Sequence, residues 1–303
     1  MATTPPYLQP GDTIGLVCPA GHMPLDRAAT CIQVLQQWGF AVQVGPTVGS
    51  QHHYFSGTDA QRLADLQTML DDTNIKAILC ARGGYGTSRI VDQLDWTVFK
   101  TAPKWIIGYS DVTVLHSFLN AQLHTASMHA PMAGAFNADG WKTPHVESLR
   151  LALLGQPYQY EATPHPLNRT GTATGALVGG NLSLMAHQVG TPSQVNTSGC
   201  ILFLEDVGEY LYNIDRMLVQ LSRAGMLKAL AGLVVGGFTE TKNTSEAFGQ
   251  SLEEIFASHV AAYNYPVCYG FPVSHTPNNY CLRAGLQHRL EVGQQVWLAS
   301  SSA

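Results

Sequence analysis

A chain of 303 residues, 45% hydrophobic and only 12% charged, can bury a sizeable core and is too apolar and too weakly charged to be mainly disordered; at roughly 150 residues per domain it implies two domains. Its net charge is -5 and its 16 Lys and Arg residues do not cluster, which removes the electrostatic footprint of a nucleic-acid binder. No apolar stretch reaches the ~18 residues that cross a bilayer, Met1–Pro10 has no basic-then-apolar leader pattern, and the six cysteines form no C-x-x-C pair. The expectation is a cytoplasmic protein with free thiols, no membrane partner, no cofactor and no metal.

In chain order, Asp12–Cys18 is a short β-branched run ending at Pro19, and Leu25–Trp38 carries helical spacing through Ala28, Ile32 and Leu35. Ala41–Val44 reads as a strand. Asp59–Leu70 reads as a helix with Leu63, Leu66 and Leu70 on one stripe, started by Thr58 as N-cap with Gln61 as its capping-box partner. Strands at Ile75–Cys80 and Trp105–Gly108 alternate with helices at Thr87–Leu94 and Asp111–Leu123. This rhythm predicts a parallel sheet covered by helices on both faces. Gly155–Gly175 is rich in Pro, Thr and Gly and reads as a connector. The domain reading is therefore 1–155, a linker over 156–173, and 174–303. The second half shows apolar runs at Cys200–Leu204, Leu230–Val235 and Pro266–Tyr269, a helix at Leu211–Ala224, and a strand pair over His288–Leu298.

Chemistry concentrates at a few places. In Lys104–Leu119 an apolar strand runs into Gly108-Tyr109-Ser110-Asp111 and a helix begins at once. Such a turn can thrust a serine hydroxyl out at the carboxyl end of a sheet, with helix N–H groups ready for an oxyanion. The same residues also read as an ordinary helix N-cap, and Val112 breaks the G-x-S-x-G pattern. Arg82-Gly83-Gly84-Tyr85-Gly86 follows another strand, where paired glycines could supply half of an oxyanion hole, cradle a phosphate, or simply turn the chain. A serine nucleophile needs a base and an orienting acid. Glu205 and Asp206 follow a buried strand, and Glu209 is a third choice. Among twelve histidines, His275 lies in the polar loop Phe271–Asn279 with His129 as its rival, while His116 sits in the helix after Ser110 at a spacing that points it away. No metal-ligand spacing appears.

Together, Gly11–Ala20 (GDTIGLVCPA), Arg82–Gly86 (RGGYG), Ile107–Thr113 (IGYSDVT), His129–Met132 (HAPM), Gly179–Leu182 (GGNL), Leu202–Glu209 (LFLEDVGE) and Ser274–Asn278 (SHTPN) make the chain resemble the LD-carboxypeptidase family of serine peptidases over nearly its whole length. The resemblance implies a flavodoxin-like α/β N-terminal domain with a parallel sheet plus a smaller α/β C-terminal domain. It implies a catalytic triad of Ser110, Glu205 and His275, with the nucleophile from the first domain and acid and base from the second. Oxyanion donors would be the backbone N–H groups of Gly84 and Asp111. It also implies a murein tetrapeptide as substrate, cut at the amide to its terminal D-residue, and a homodimer. The family's other branch resembles the microcin C self-immunity peptidase and implies peptidyl- or aminoacyl-nucleotides instead. A third reading, from another class, is a non-catalytic muropeptide- or nucleotide-binding protein. A carboxypeptidase must recognise a terminal carboxylate, and Arg82 and Arg283, beside the glycine and histidine loops, are the cations expected to do so. Arg283 and Ala130 depart from the family pattern, where Pro and Gly are usual.

Overall fold

The computed structural model describes residues 2–301; Met1, Ser302 and Ala303, inside the domain bounds expected above, lie outside them. The chain forms two compact units. The N-terminal unit holds Ala2–Gln156 and Tyr280–Arg283, and the C-terminal unit holds Pro157–Asn279 and the chain from Ala284 onward.

The N-terminal unit is built on β1 (Thr13–Val17), α1 (Leu25–Gln37), β2 (Ala41–Val44), α2 (Asp59–Asp71), β3 (Ile75–Cys80), α3 (Thr97–Thr101), β4 (Trp105–Gly108), α4 (Thr113–Phe118), β5 (Ser127–His129) and α5 (Pro144–Leu153). β2, β1, β3, β4 and β5 lie side by side in that order, and the pairs are parallel. This is the doubly wound flavodoxin-like order, in which the chain reverses direction across the sheet between β1 and β3. β3 and β4 are almost wholly buried, as expected of central strands covered on both faces. The Thr58–Gln61 capping box forms at α2, an arrangement worth about 0.5–2 kcal/mol.

Two expectations fail here for local reasons. The helix read over Thr87–Leu94 is instead a pair of tight 3₁₀ turns, Thr87–Arg89 and Val91–Gln93, broken at Ile90 (φ -121°). The β-branched pair Ile90-Val91 favours helix weakly, and the chain leaves helical geometry at Ile90, while the Asp111 carboxylate accepts from the Thr87 N–H at 2.9 Å at the start of the first turn. The helix read over Asp111–Leu123 is regular only in α4. It opens with a 3₁₀ turn at Ser110–Val112 and widens to a π-turn at Leu119–Leu123, ending at His124 in the left-handed region.

The C-terminal unit carries β6 (Gln159–Ala162), β7 (Gly171–Asn181), α6 (Leu182–His187), β8 (Ile201–Val207), α7 (Leu211–Arg223), β9 (Gly232–Thr239), α8 (Leu252–Val260), β10 (Val267–Tyr269), β12 (Gln287–Val292) and β13 (Val296–Ser300); the intervening β11 (Leu282–Ala284) joins the six-stranded N-terminal sheet. The seven-stranded sheet runs β10-β9-β8-β7-β12-β13-β6, parallel from β10 to β7 and antiparallel beyond. Leu202, Leu204, Val178, Leu233 and Val235 pack under α6, α7 and α8 against Ile214, Leu218, Leu221, Ile255 and Phe256, each burial worth about 1.5–3 kcal/mol. The linker reading over 156–173 is corrected: Gln159–Ala162 is a strand pairing with β13, its Tyr160 buried, and β7 starts at Gly171. Composition alone hid this edge, because a short edge strand tolerates polar residues, and Gly175, whose open side meets the Gly199 carbonyl, is required for close packing rather than for looseness.

Candidate active site

Ser110 stands where β4 ends. Its φ of +61° is a left-handed conformation that costs a residue with a side chain about 1–2 kcal/mol. Gly108, two residues earlier, has no room for a side chain, since a Cβ there would lie 2.9 Å from Val112 Cγ2. The N-cap reading fails, because no side chain caps this turn: Tyr109 occupies the cap position, and Asp111 spends its carboxylate on Thr87. Burial pushes the Asp111 carboxyl up, and hydrogen bonds from Thr87 and Gly86 oppose the shift. Asp111 thereby ties the glycine loop to the serine turn.

In the glycine loop, Gly83 faces the serine. A Cβ on Gly83 would lie 3.0 Å from Ser110 Cβ and 3.3 Å from both Ser110 Oγ and Asp111 N. The open side of Gly84 (φ +100°) faces the Tyr54 hydroxyl instead, 2.7 Å from the place of a Cβ. The Gly83–Gly84 peptide thus runs directly beside Ser110, an approach that a side chain on Gly83 would crowd. Tyr54, half exposed at that loop, escaped the sequence reading, and no motif would have exposed it.

His116, whose spacing suggested that it points away from the serine, is turned to the backbone of β4. Its Nε2 meets the Gly108 carbonyl at 2.8 Å, and burial drives its pKa down to about 4. It is a neutral strut behind the serine turn. His129, the rival base, is fully buried at the end of β5, opposite Gly108 in the sheet.

In the C-terminal unit the structure brings two of the expected residues together. Glu205, fully buried near the end of β8, meets His275 Nδ1 through Oε2 at 2.5 Å. A carboxylate on Nδ1 selects the tautomer in which Nδ1 donates and Nε2 can accept. Burial alone would lower the His275 pKa; the hydrogen bond and charge of Glu205, with the charges of Asp206 and Glu240, outweigh it and hold the imidazole above its ordinary value. Successive strand residues point to opposite faces, so Asp206 sits on the side of Leu202 and Leu204. There it accepts from Asn181 Nδ2 at 2.7 Å and the Ser183 N–H at 2.9 Å, pinning the start of α6. Burial pushes Asp206 up to about 6. Glu209 accepts from the Asn213 side chain on α7.

The two arginines part ways. Arg82 is exposed beside the glycine loop, with Nη1 donating to the His22 carbonyl at 2.6 Å. Arg283 is only 4% exposed, lies in the N-terminal unit, and donates to the Tyr7 hydroxyl at 2.7 Å and the Gln156 carbonyl at 2.8 Å. Its guanidinium clamps Tyr7 and Gln156 together, which leaves Arg82 as the more exposed of the two cations. A cavity of about 450 Å³ beside β2, lined by Gln43, Thr47, Gln61 and Asp65, contains none of the expected site residues. No helix among the described residues is long and apolar enough to cross a membrane.

Comparison with known proteins adds independent findings. Residues 14–130 match the model of the LD-carboxypeptidase N-terminal domain, and residues 174–290 that of the LD-carboxypeptidase C-terminal domain. The chain is 32% identical over 293 residues to the murein tetrapeptide carboxypeptidase of Pseudomonas aeruginosa, covering 94% of each. A crystal structure of muramoyltetrapeptide carboxypeptidase from Oxalobacter formigenes superposes with a TM-score of 0.86 at 27% identity, over 95% of this chain and 98% of that one. An MccF-like protein of Bacillus anthracis, 22% identical and covered along the whole of both chains, shares the fold with a TM-score of 0.84.

Proposed function

We propose, since the chain belongs to the LD-carboxypeptidase family, that it is a serine-type carboxypeptidase releasing the terminal D-residue of a murein tetrapeptide. The observation that carries the catalytic assignment is the buried Glu205–His275 hydrogen bond, a base already held in the acceptor tautomer by a carboxylate.

In this reading His275 Nε2 takes the proton of the Ser110 hydroxyl as Oγ attacks the scissile carbonyl. The backbone N–H groups of Gly84 and Asp111 hold the oxyanion, each such donor worth about 3 kcal/mol in comparable sites. The imidazolium, stabilised by Glu205, then protonates the leaving D-residue amine. Water, deprotonated by the same imidazole, releases the acyl-enzyme. The left-handed Ser110 supports the nucleophile's role, since strain of this kind persists where surrounding structure over-determines it.

The substrate class is tested by incubating purified protein with murein tetrapeptide and, separately, with an aminoacyl-sulfamoyl adenosine. Release of D-alanine from the first and no cleavage of the second is expected. Turnover of the nucleotide analogue alone would transfer the protein to the self-immunity branch, and tight binding without turnover of either would make it a binding protein.

Arg82 is the cation assigned to the substrate's carboxylate. A charge-assisted hydrogen bond contributes about 1.5–3 kcal/mol, so Arg82→Ala should lower kcat/KM by about 10- to 100-fold, mostly through KM. Amidating the substrate C-terminus should weaken the wild type by a similar factor and barely affect the variant. Additive losses in this cycle would free Arg82 of the role. Arg283→Ala should instead lower thermal stability and leave the cycle unchanged.

A further inference from the structure

We propose that the glycine pair Gly236-Gly237 in β9 is the seat that sets His275 against Glu205, making both glycines positioning residues of the catalytic machinery; the catalytic half of this statement rests on the reading above. The pairing of β8 with β9 slips at one place. Leu204 pairs with Val235 and Asp206 with Phe238, so Glu205 alone stands opposite Gly236 and Gly237. Two residues opposite one is a bulge, a device that re-aims what surrounds it. It occurs at the residue that carries the acid.

The bulge has an occupant. After β10 the chain turns at Phe271, whose N–H reaches the Val235 carbonyl at 3.2 Å, and crosses the end of β9. The Gly237 N–H donates to the Val273 carbonyl at 2.9 Å. Neither glycine could carry a side chain beneath this crossing. A Cβ on Gly236 would lie 2.3 Å from the Val273 carbonyl oxygen, and one on Gly237 would lie 2.5 Å from Ser274 Cβ. Neither glycine has a positive φ, so close approach, not backbone conformation, is what demands glycine here. The next residue is His275. The loop above the seat is fastened to itself: Ser274 Oγ bonds Thr276 Oγ1 at 2.7 Å and the Asn278 carbonyl at 3.1 Å, and the Ser274 N–H bonds Asn279 Oδ1 at 3.3 Å. A braced loop resting on bare backbone can shift only as a block. Its height above β9 therefore sets the distance from His275 to Glu205.

Gly237→Ala should lift the loop by the width of a methyl group. Displacement of a catalytic group by about 1 Å can cost about 100-fold, and the loss should fall on kcat with KM nearly unchanged. The imidazole pKa of His275, followed by NMR, should fall as the Glu205 contact is lost while burial remains. A glycine serving only stability would lower the melting temperature and leave that pKa where it is. Because the obstructing atom is Ser274 Cβ, the second variant is Gly237→Ala with Ser274→Gly. It should recover the His275 pKa and exceed Gly237→Ala in kcat, although Ser274→Gly alone loses the loop's hydroxyl bonds and about 10-fold in rate on the same displacement scale. The titration needs no turnover, so it tests the seat even if the peptidase reading fails. Wild-type kcat and His275 pKa in Gly237→Ala would overturn the proposal. So would a double variant no better than the single, or one that fails to fold along with it.

Discussion

Ser110→Ala should reduce kcat by about 10⁶-fold, the scale seen when a triad nucleophile is removed from a site that keeps its oxyanion hole. Binding of the tetrapeptide should persist, because the change removes one oxygen. Stability offers a second, independent reading of the same residue. Alanine retains a Cβ and with it the left-handed strain at φ +61°. Ser110→Gly relieves that strain, about 1–2 kcal/mol, and sacrifices about 0.5–1 kcal/mol through the greater freedom of the unfolded glycine. The glycine variant should therefore be inactive and slightly more stable than the alanine variant, as read by thermal unfolding of the two side by side. Near-normal turnover in either variant would remove Ser110 from the mechanism. An alanine variant more stable than the glycine variant would mean that the turn carries no strain.

Glu205→Gln should lower kcat by about 10⁴-fold, the effect of replacing a triad carboxylate by its amide. It should also move the acidic limb of the pH profile, with a determinate sign. As the proposed base, His275 must be neutral to accept a proton, so kcat/KM should fall as pH drops through its pKa. In the wild type that pKa lies above the ordinary ~6.5, since the hydrogen bond and charge of Glu205 outweigh burial. With the charge removed, burial prevails and the limb should move to lower pH. The linkage to stability runs the other way. A histidine whose folded pKa is raised contributes stability that is fully present below the unfolded value of ~6.5 and is lost as pH rises through the folded value. The Glu205–His275 pair therefore stabilises the fold most on the acid side, where the proposed base is protonated and idle. Asp206, pushed up to about 6, titrates close to the same window, so Asp206→Asn must be profiled beside the wild type to attribute the limb to His275. A limb that stays in place in Glu205→Gln would take His275 out of the role of base.

The sequence exposed most of the regular elements, because periodicity survives wherever one face of a helix or strand is buried. Ile75–Cys80 and Trp105–Gly108 read as they fold, and the Thr58–Gln61 cap is local chemistry visible in four residues. Elements held by distant partners were not legible. Thr87–Leu94 breaks at Ile90 into two short turns, the first of them tied to a carboxylate 24 residues away, and Gln159–Ala162 gained its strand from β13, whose residues lie some 140 positions later. Among the site residues, Glu205 stood out at the end of an apolar run, His275 in its polar loop, and both by family resemblance, but nothing in either segment announced a 2.5 Å hydrogen bond across 70 residues.

The sequence by itself determined the alternating α/β architecture, the strand-to-helix turn at Ser110 and the small set of acids and histidines from which a site could be made. These depend on spacing and on the nature of single residues. The tertiary structure decided which of two arginines remains open to a ligand, because Arg82 and Arg283 look alike until Tyr7 and Gln156 are seen to hold the second. It decided that Gly83 rather than Gly84 faces Ser110, since that depends on which Cα hydrogen points at the hydroxyl. It decided, too, that Gly236 and Gly237, which read as two more small residues at the end of an apolar run, lie in a bulge opposite Glu205. A glycine's role lies in what comes close to it, and that neighbour, here Val273-Ser274, is chosen by the fold and not by the adjoining sequence.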